Sequence, residues 1–221
     1  TPSAGTLSVA GVSPSDGLQQ LKRRVGYMSQ KFTLYPDLTV TENMEFAAAL
    51  RKMPPQTLKK RRKELFDFIG LSVGGSTLVK NLSGGVKQQL SLAAAMLGDP
   101  EIVFLDEPTA GVSPLARARF WELIRKTAGA GKTVFVTTHY MDEAEQCARV
   151  ALMQNGRIAA LDSPAALKER YFPEPLYEVE TKNPLEFAAA VEKTGCARLS
   201  PYGLRFHAAV NDAAAWRTLL S

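Results

Sequence analysis

The feature that most constrains this chain is the run Ile102-Val103-Phe104-Leu105, followed at once by Asp106, Glu107 and Pro108. Four consecutive apolar residues, rich in β-branched and aromatic side chains, describe a strand, and the lack of alternation predicts burial on both faces. Strands of that kind belong to the parallel sheets of α/β proteins, where ligands bind beyond the carboxyl ends of the strands. Asp106 and Glu107 are therefore predicted to emerge where a ligand would lie.

A second run, Leu82-Ser83-Gly84-Gly85, precedes this strand by one helix and a Gly98-Asp99-Pro100 turn. Ser83 is a good helix cap, and Leu90, Ala93, Ala94 and Leu97 recur at i, i+3, i+4 and i+7, which predicts an amphipathic helix from Val86 to Leu97. Two glycines at such a start let backbone N–H groups and the positive end of the helix dipole approach an anion.

In order and spacing these residues resemble a known family. Leu82-Ser83-Gly84-Gly85-Val86-Lys87-Gln88-Gln89 looks like the signature of ABC proteins, and Phe104-Leu105-Asp106-Glu107-Pro108-Thr109 like their Walker B strand. Gly26-Tyr27-Met28-Ser29-Gln30 resembles the Q-loop, Ala110-Gly111-Val112-Ser113-Pro114 the D-loop, and Val134-Phe135-Val136-Thr137-Thr138-His139 the strand and switch histidine. The likeness covers the chain to about Pro164.

The resemblance implies a RecA-like P-loop NTPase core of α/β class with an inserted helical subdomain, acting on ATP with Mg2+. It gives Asp106 and Gln30 to the magnesium, and Glu107 to the attacking water, which a tuned carboxylate can orient and deprotonate. His139 would hold the γ-phosphate or Glu107. Ser83, Gly84 and Gly85 would cap nucleotide bound by a partner cassette, with Gly111 and Ser113 in the D-loop at that junction. The implied partners are a second ABC ATPase domain, in a homodimer or heterodimer, and a membrane-embedded permease. Tyr35-Pro36-Asp37-Leu38-Thr39-Val40-Thr41-Glu42-Asn43 is similar to segments of ABC-2-type exporters of drugs, lipids or polysaccharides, so the expected place is cytoplasmic, peripheral at the inner face of the membrane. A degenerate regulatory cassette and a soluble ATPase outside transport are the alternatives. Ser113 departs from the aspartate usual in the D-loop, and Val86 to Gln89 vary from the commonest signature.

One part of the family pattern is missing: no Gly-x-x-x-x-Gly-Lys-[Ser/Thr] run occurs. The lookalike Gly129-Ala130-Gly131-Lys132-Thr133 has the wrong context, since a helix (Phe120 to Thr127) precedes it and a strand follows. Gly129 and Gly131 read as a helix end and a turn. The chain begins with Thr1, and residues 1–11 resemble the stretch that follows the Walker A helix, which predicts an N-terminally truncated cassette, inactive alone.

At 221 residues, 45% hydrophobic and 22% charged, the chain has the composition of one or two globular domains and excludes disorder. No apolar run spans a bilayer. Cys147 and Cys196 lack metal-ligand spacing and are expected to be small buried side chains. The net charge of +5 draws on Lys59-Lys60-Arg61-Arg62-Lys63, but Leu58, Leu65, Phe66 and Ile69 lie around that run at helical spacing, making it the wet face of a helix; no nucleic acid is expected.

The sequence divides into an ATPase domain at 1–162, with its helical subdomain at about 31–97, and a small α+β appendage at 163–221. Thr1 to Gln30 is expected to be strand-rich. Helices are expected from Val40 to Leu50 and Pro55 to Ile69. In the appendage, strands are expected at Leu176 to Thr181 and Leu204 to Ala208, a helix at Pro184 to Lys193, and a last helix capped by Asn211. His207 is assigned no chemistry.

Overall fold

The computed structural model describes residues 3–31 and 33–220; Thr1 and Pro2, where the resemblance to a post-Walker A stretch begins, lie outside the described residues. The chain divides into two compact units, 1–139 and 140–221.

The first unit is built on a parallel sheet in the order β1 (Val25–Met28), β2 (Ile102–Asp106), β3 (Thr133–Thr137). Its register sets Tyr27 beside Phe104, Phe104 beside Phe135, and Asp106 beside Thr137. Residues 3–30 are less strand-rich than the sequence predicts. Pro14 at the first turn starts α1 (Pro14–Arg24), and β1 is the only named strand there, with an isolated bridge between Val9 and Val12.

Between β1 and β2 lie α2 (Val40–Leu50), α3 (Pro55–Ile69) and α4 (Gly84–Met96). The first two match the expected bounds because their end signals are strong. Thr39 and Glu42 form a reciprocal capping box, Pro55 opens α3, and Gly70 closes it at φ +63°. Asn43, buried in α2, accepts from the Tyr35 N–H at 2.7 Å and donates to the Tyr35 and Thr39 carbonyls at 3.0 and 2.9 Å, pinning the loop before the helix. In α3, Leu65 and Ile69 are buried while Lys59, Lys60 and Lys63 are exposed, so the basic run is a solvated face.

Helix α4 is capped by Ser83, whose Oγ accepts from the Val86 N–H at 3.5 Å. It is not amphipathic as expected. Leu90, Leu92, Ala93, Ala95 and Met96 are all buried, and so are Gln88 and Ser91, because the helix packs against α2, α3, β1 and α5 together. The next helix, α5 (Pro114–Gly129), is longer than predicted, since Ser113 caps it through Ala116 N–H at 3.3 Å and Pro114 fills its first position.

The expectation that β2 is buried on both faces is overturned. Val103 and Leu105 are buried, but Phe104 is only partly so, and its neighbours across the sheet, Tyr27 and Phe135, are 59% and 54% exposed. An apolar run records what a strand could bury, and here only the face toward Val103 and Leu105 is covered.

The second unit holds α6 (Met141–Ala144), the hairpin β4 (Val150–Gln154) and β5 (Arg157–Asp162), then α7 (Pro164–Tyr171). The Asn155-Gly156 turn has φ of 49° and 74°, the left-handed pair that a two-residue hairpin needs. Beyond it, β6 (Leu176–Val179), β7 (Ala197–Tyr202) and β8 (Arg205–Val210) form an antiparallel sheet in the order β6-β8-β7, with α8 (Pro184–Thr194) and α9 (Ala213–Leu220). Val191, Cys196, Ala208, Val210 and Trp216 make its core. Helix α9 is capped by Asp212, not Asn211: Asp212 Oδ1 accepts from the N–H groups of Ala214 and Ala215 at 2.9 and 3.0 Å. Cys196 is buried as expected; Cys147 is only half-buried, and burial pushes its thiol pKa up, with Glu143 adding to the effect.

Candidate functional site

Three strands distant in sequence bring their carboxyl ends together, and the predicted acidic residues sit there. Asp106 is the last residue of β2, and its two oxygens are held by different strands. Thr137 Oγ1, at the end of β3, donates to Oδ1 at 2.6 Å, and Tyr27 Oη, from β1, donates to Oδ2 at 3.2 Å. The Tyr27 phenol pKa is raised above its ordinary value by desolvation and then by the Asp106 charge and hydrogen bond, which keeps it a donor.

Glu107, the next residue, has φ +43°. A side chain other than glycine in a sparsely populated backbone region costs about 1–3 kcal/mol and persists where the surroundings over-determine it. Here they do so through the Glu107 N–H, which donates to both the carbonyl and the hydroxyl of Thr137, each at 3.1 Å. The bend turns the Glu107 carboxylate toward two other predicted residues. Gln30 Nε2 donates to Glu107 Oε2 at 2.7 Å, and His139 Nδ1 lies 3.5 Å from the same oxygen. Gln30 is two residues past the end of β1, and His139 two past the end of β3. The Glu107 side chain is 30% exposed and that of His139 58%, so the group is open to a solute.

The structure thus brings together Gln30, Asp106, Glu107 and His139. It also adds Tyr27 and Thr137, to which the motifs containing them assign no role. The signal that could have found Thr137 is a hydroxyl at the end of a strand predicted to pair beside the acidic one.

The second predicted group forms its own cleft. Ser83, Gly84, Gly85, Gly111 and Ser113 line a volume of about 390 Å³ together with Arg119. The N-termini of α4 and α5 both open onto it, each capped by a serine. The two glycines also serve packing. A methyl group on Gly85 would stand 3.0 Å from Ala116 Cβ and one on Gly84 3.5 Å from Val112 Cγ1, so the start of α4 nests against the D-loop segment. Gly111, at φ +73°, makes the turn that precedes the Ser113 cap.

Two sequence lookalikes are resolved by position. Lys132 is not a phosphate lysine: its Nζ donates to Asp99 Oδ1 at 2.8 Å, and Gly129 ends α5 while Gly131, at φ +82°, turns into β3. His207 stacks on Tyr202 in the second unit with ring centroids 4.1 Å apart.

Among the described residues no cluster of three or more His, Cys, Asp or Glu could hold a metal on its own. The Asp106 carboxylate and the Gln30 amide oxygen are hard oxygen donors, few in number, and they fit a Mg2+ that takes its remaining ligands from phosphates and water.

Residues 1–110 match the ABC transporter family. The chain is 39% identical over 168 residues to the protein named "Probable multidrug ABC transporter ATP-binding protein YbhF" of Escherichia coli (strain K12), which covers 76% of this chain and 29% of that protein. It is 39% identical over 193 residues to Nod factor export ATP-binding protein I of Neorhizobium galegae, covering 86% and 55%. Among solved structures, the dimeric post-hydrolysis state of the ATP-binding cassette MJ0796 bound to ADP and Pi aligns with a TM-score of 0.64 at 26% identity, covering 73% of this chain and 74% of that one. The chain spans less than two thirds of the length of these curated relatives. With the parallel α/β sheet, the ordered motifs and these likenesses together, the chain belongs to the ABC transporter family.

Proposed function

We propose that this chain carries the hydrolytic and signature parts of an ATP-binding subunit that powers a membrane exporter. The observation that supports it best is the convergence of Gln30 and His139 on one carboxylate oxygen of Glu107, beside an Asp106 whose two oxygens are both oriented. In this reading residues 1–162 form the ATPase domain and 163–221 an appendage. No described helix is long and apolar enough to cross a membrane, and the proposed place is peripheral, at the inner face of the membrane beside a permease.

The division of labour follows from the chemistry. Asp106, with the Gln30 amide oxygen, would hold Mg2+, which neutralises phosphate charge when bound. Glu107 accepts a proton from water, and Gln30 and His139 fix the carboxylate that does so, a geometry in which a positioned base contributes about 10²–10⁴-fold. Ser83, Gly84 and Gly85 present the start of α4, and Gly111 and Ser113 that of α5, to nucleotide held by a second cassette. Gln30, Asp106, Glu107 and His139 act on the water and γ-phosphate end. Export is favoured over import because one relative is named for Nod factor export and another as a probable multidrug transporter protein.

The test is Glu107→Gln in the full protein assembled with its permease. Hydrolysis should fall to near background while ATP binding is retained and the closed dimer accumulates. Wild-type turnover in that variant would show that the base lies elsewhere.

A further inference from the structure

Asp106 and Glu107 are neighbours with different tasks, and one side chain touches both. The Thr137 hydroxyl has a single hydrogen, and it is donated to Asp106 Oδ1 at 2.6 Å. The hydroxyl oxygen itself, Thr137 Oγ1, accepts from the Glu107 N–H at 3.1 Å, at the residue whose backbone is left-handed. We propose that Thr137 is a positioning residue of the hydrolytic site, setting the plane of the Asp106 carboxylate and locking the turn that aims Glu107. This rests on the hydrolytic reading given above.

The residue type suits the task. A β-branched side chain on a strand is stiff at χ1, so the hydroxyl direction is set by the backbone of β3 rather than by solvent. The parallel register, with Asp106 and Thr137 paired, delivers that hydroxyl to the carboxylate. With Thr137 on one Asp106 oxygen and Tyr27 on the other, rotation of the carboxylate about its last bond is held from both sides. A carboxylate oxygen has two acceptor sites, so one donor at each oxygen still leaves capacity for a cation or its water. The backbone bond from the Glu107 N–H to the Thr137 carbonyl, at 3.1 Å, would survive loss of the hydroxyl, so a variant without it should keep the fold and lose the alignment.

The experiment compares Thr137→Val, which keeps the branching and removes the hydroxyl, with Thr137→Ser, which keeps the hydroxyl, in the full protein with its permease. Thr137→Val is expected to lower kcat by about tenfold to a hundredfold, the effect of losing a hydrogen bond to a charged group, with the KM for ATP changed less than about threefold. Thr137→Ser should restore most of the rate. A readout without turnover is Mn2+ binding in the presence of ATP, followed by the electron paramagnetic resonance of free Mn2+. Thr137→Val should weaken it, while ATP binding in EDTA stays at the wild-type level. Equal kcat and equal Mn2+ affinity in Thr137→Val and wild type would overturn the proposal, as would equal losses in the valine and serine variants. If the valine variant does not assemble, Thr137→Ala, smaller than the side chain it replaces, takes its place in the same comparison. The two readings separate through Glu107→Gln. An active Glu107→Gln sinks the hydrolytic reading, whereas an inactive one beside an unimpaired Thr137→Val sinks the positioning role alone.

Discussion

Gly26 lies in β1 where the sheet packs against α4, and the space there has no room for a side chain. A methyl group built on it would meet the Ala95 carbonyl oxygen at 2.5 Å and Pro100 Cγ at 3.0 Å. The first is a backbone atom of a buried helix and cannot swing aside as a flexible side chain would. Gly26→Ala should therefore force β1 and α4 apart, at a cost of about 1–3 kcal/mol for overpacking. Alanine recovers up to about 1 kcal/mol through its better strand propensity, and a clash with an immovable backbone atom draws on the upper part of the overpacking range, about 2–3 kcal/mol, leaving a net loss of about 1–2 kcal/mol. For a chain of this size that is a fall of about 2–8 °C in melting temperature. The two tryptophans report on different units, Trp121 in α5 and Trp216 in α9, so Trp121 fluorescence in a Trp216→Phe background follows the unit that matters. Gly70→Ala is the reference, because nothing lies within 4 Å of its methyl position and only its φ of +63° is strained, at about 1–2 kcal/mol. If Gly26→Ala melts at or above the wild-type temperature, the argument from close approach is wrong. The substitution also reaches the site, since β1 carries Tyr27 and leads to Gln30.

Three further outcomes are expected. Asp99 Oδ1 accepts from Lys132 Nζ and Arg61 Nη2, each at 2.8 Å, and the hydrogen bond from Lys132 holds its carboxyl pKa below the ordinary value, with the charges of Arg61 and Lys132 adding to this. A carboxyl lowered in this way contributes stability above its unfolded pKa and loses it as pH falls through the folded one; Asp99→Asn should cost less than about 1 kcal/mol at pH 7, given 66% exposure, and nothing in strong acid, as urea unfolding at both pH values will show. Ser113→Ala should lose about 0.5–2 kcal/mol by uncapping α5, whereas Ser113→Asp should stay within a few tenths by thermal unfolding, because either residue caps well. Calorimetric titration of the 221-residue chain with MgATP should give no micromolar isotherm, since that affinity needs about 8 kcal/mol and a bare helix N-terminus supplies about 0.3–1; a stoichiometric micromolar isotherm would refute this.

What was legible in the sequence follows the reach of each signal. The bounds of α2 and α3 were readable because a capping box, a leading proline and a terminal glycine are local. The start of α5 is harder to see, since Ser113-Pro114 lies inside a motif and serves at the same time as cap and first turn of the helix. Asp212 displaced Asn211 as the cap of α9 for a similar reason: both residue types cap helices, and only the path of the backbone decides which of two neighbours is in place. Burial was the least legible property. The apolar run at 102–105 gave the strand correctly, yet the exposed Tyr27 and Phe135 show that hydrophobicity states a capacity for burial and not the presence of a covering layer.

The site shows the same limit from the other side. Motif spacing identified Gln30, Asp106, Glu107 and His139, because their chemistry is unusual at the ends of apolar strands. It could not show which atoms meet, since those residues lie on three strands joined by long crossovers, and contact among them is a property of register. The parallel pairing of β2 with β3 sets Asp106 beside Thr137, and a slip of one residue would set Val136 or Thr138 there instead. Because side chains alternate faces along a strand, that slip would carry the Thr137 hydroxyl to the opposite face of the sheet and leave Asp106 Oδ1 without its donor. Correct register therefore fixes the orientation of Asp106 and the left-handed turn at Glu107 in one step.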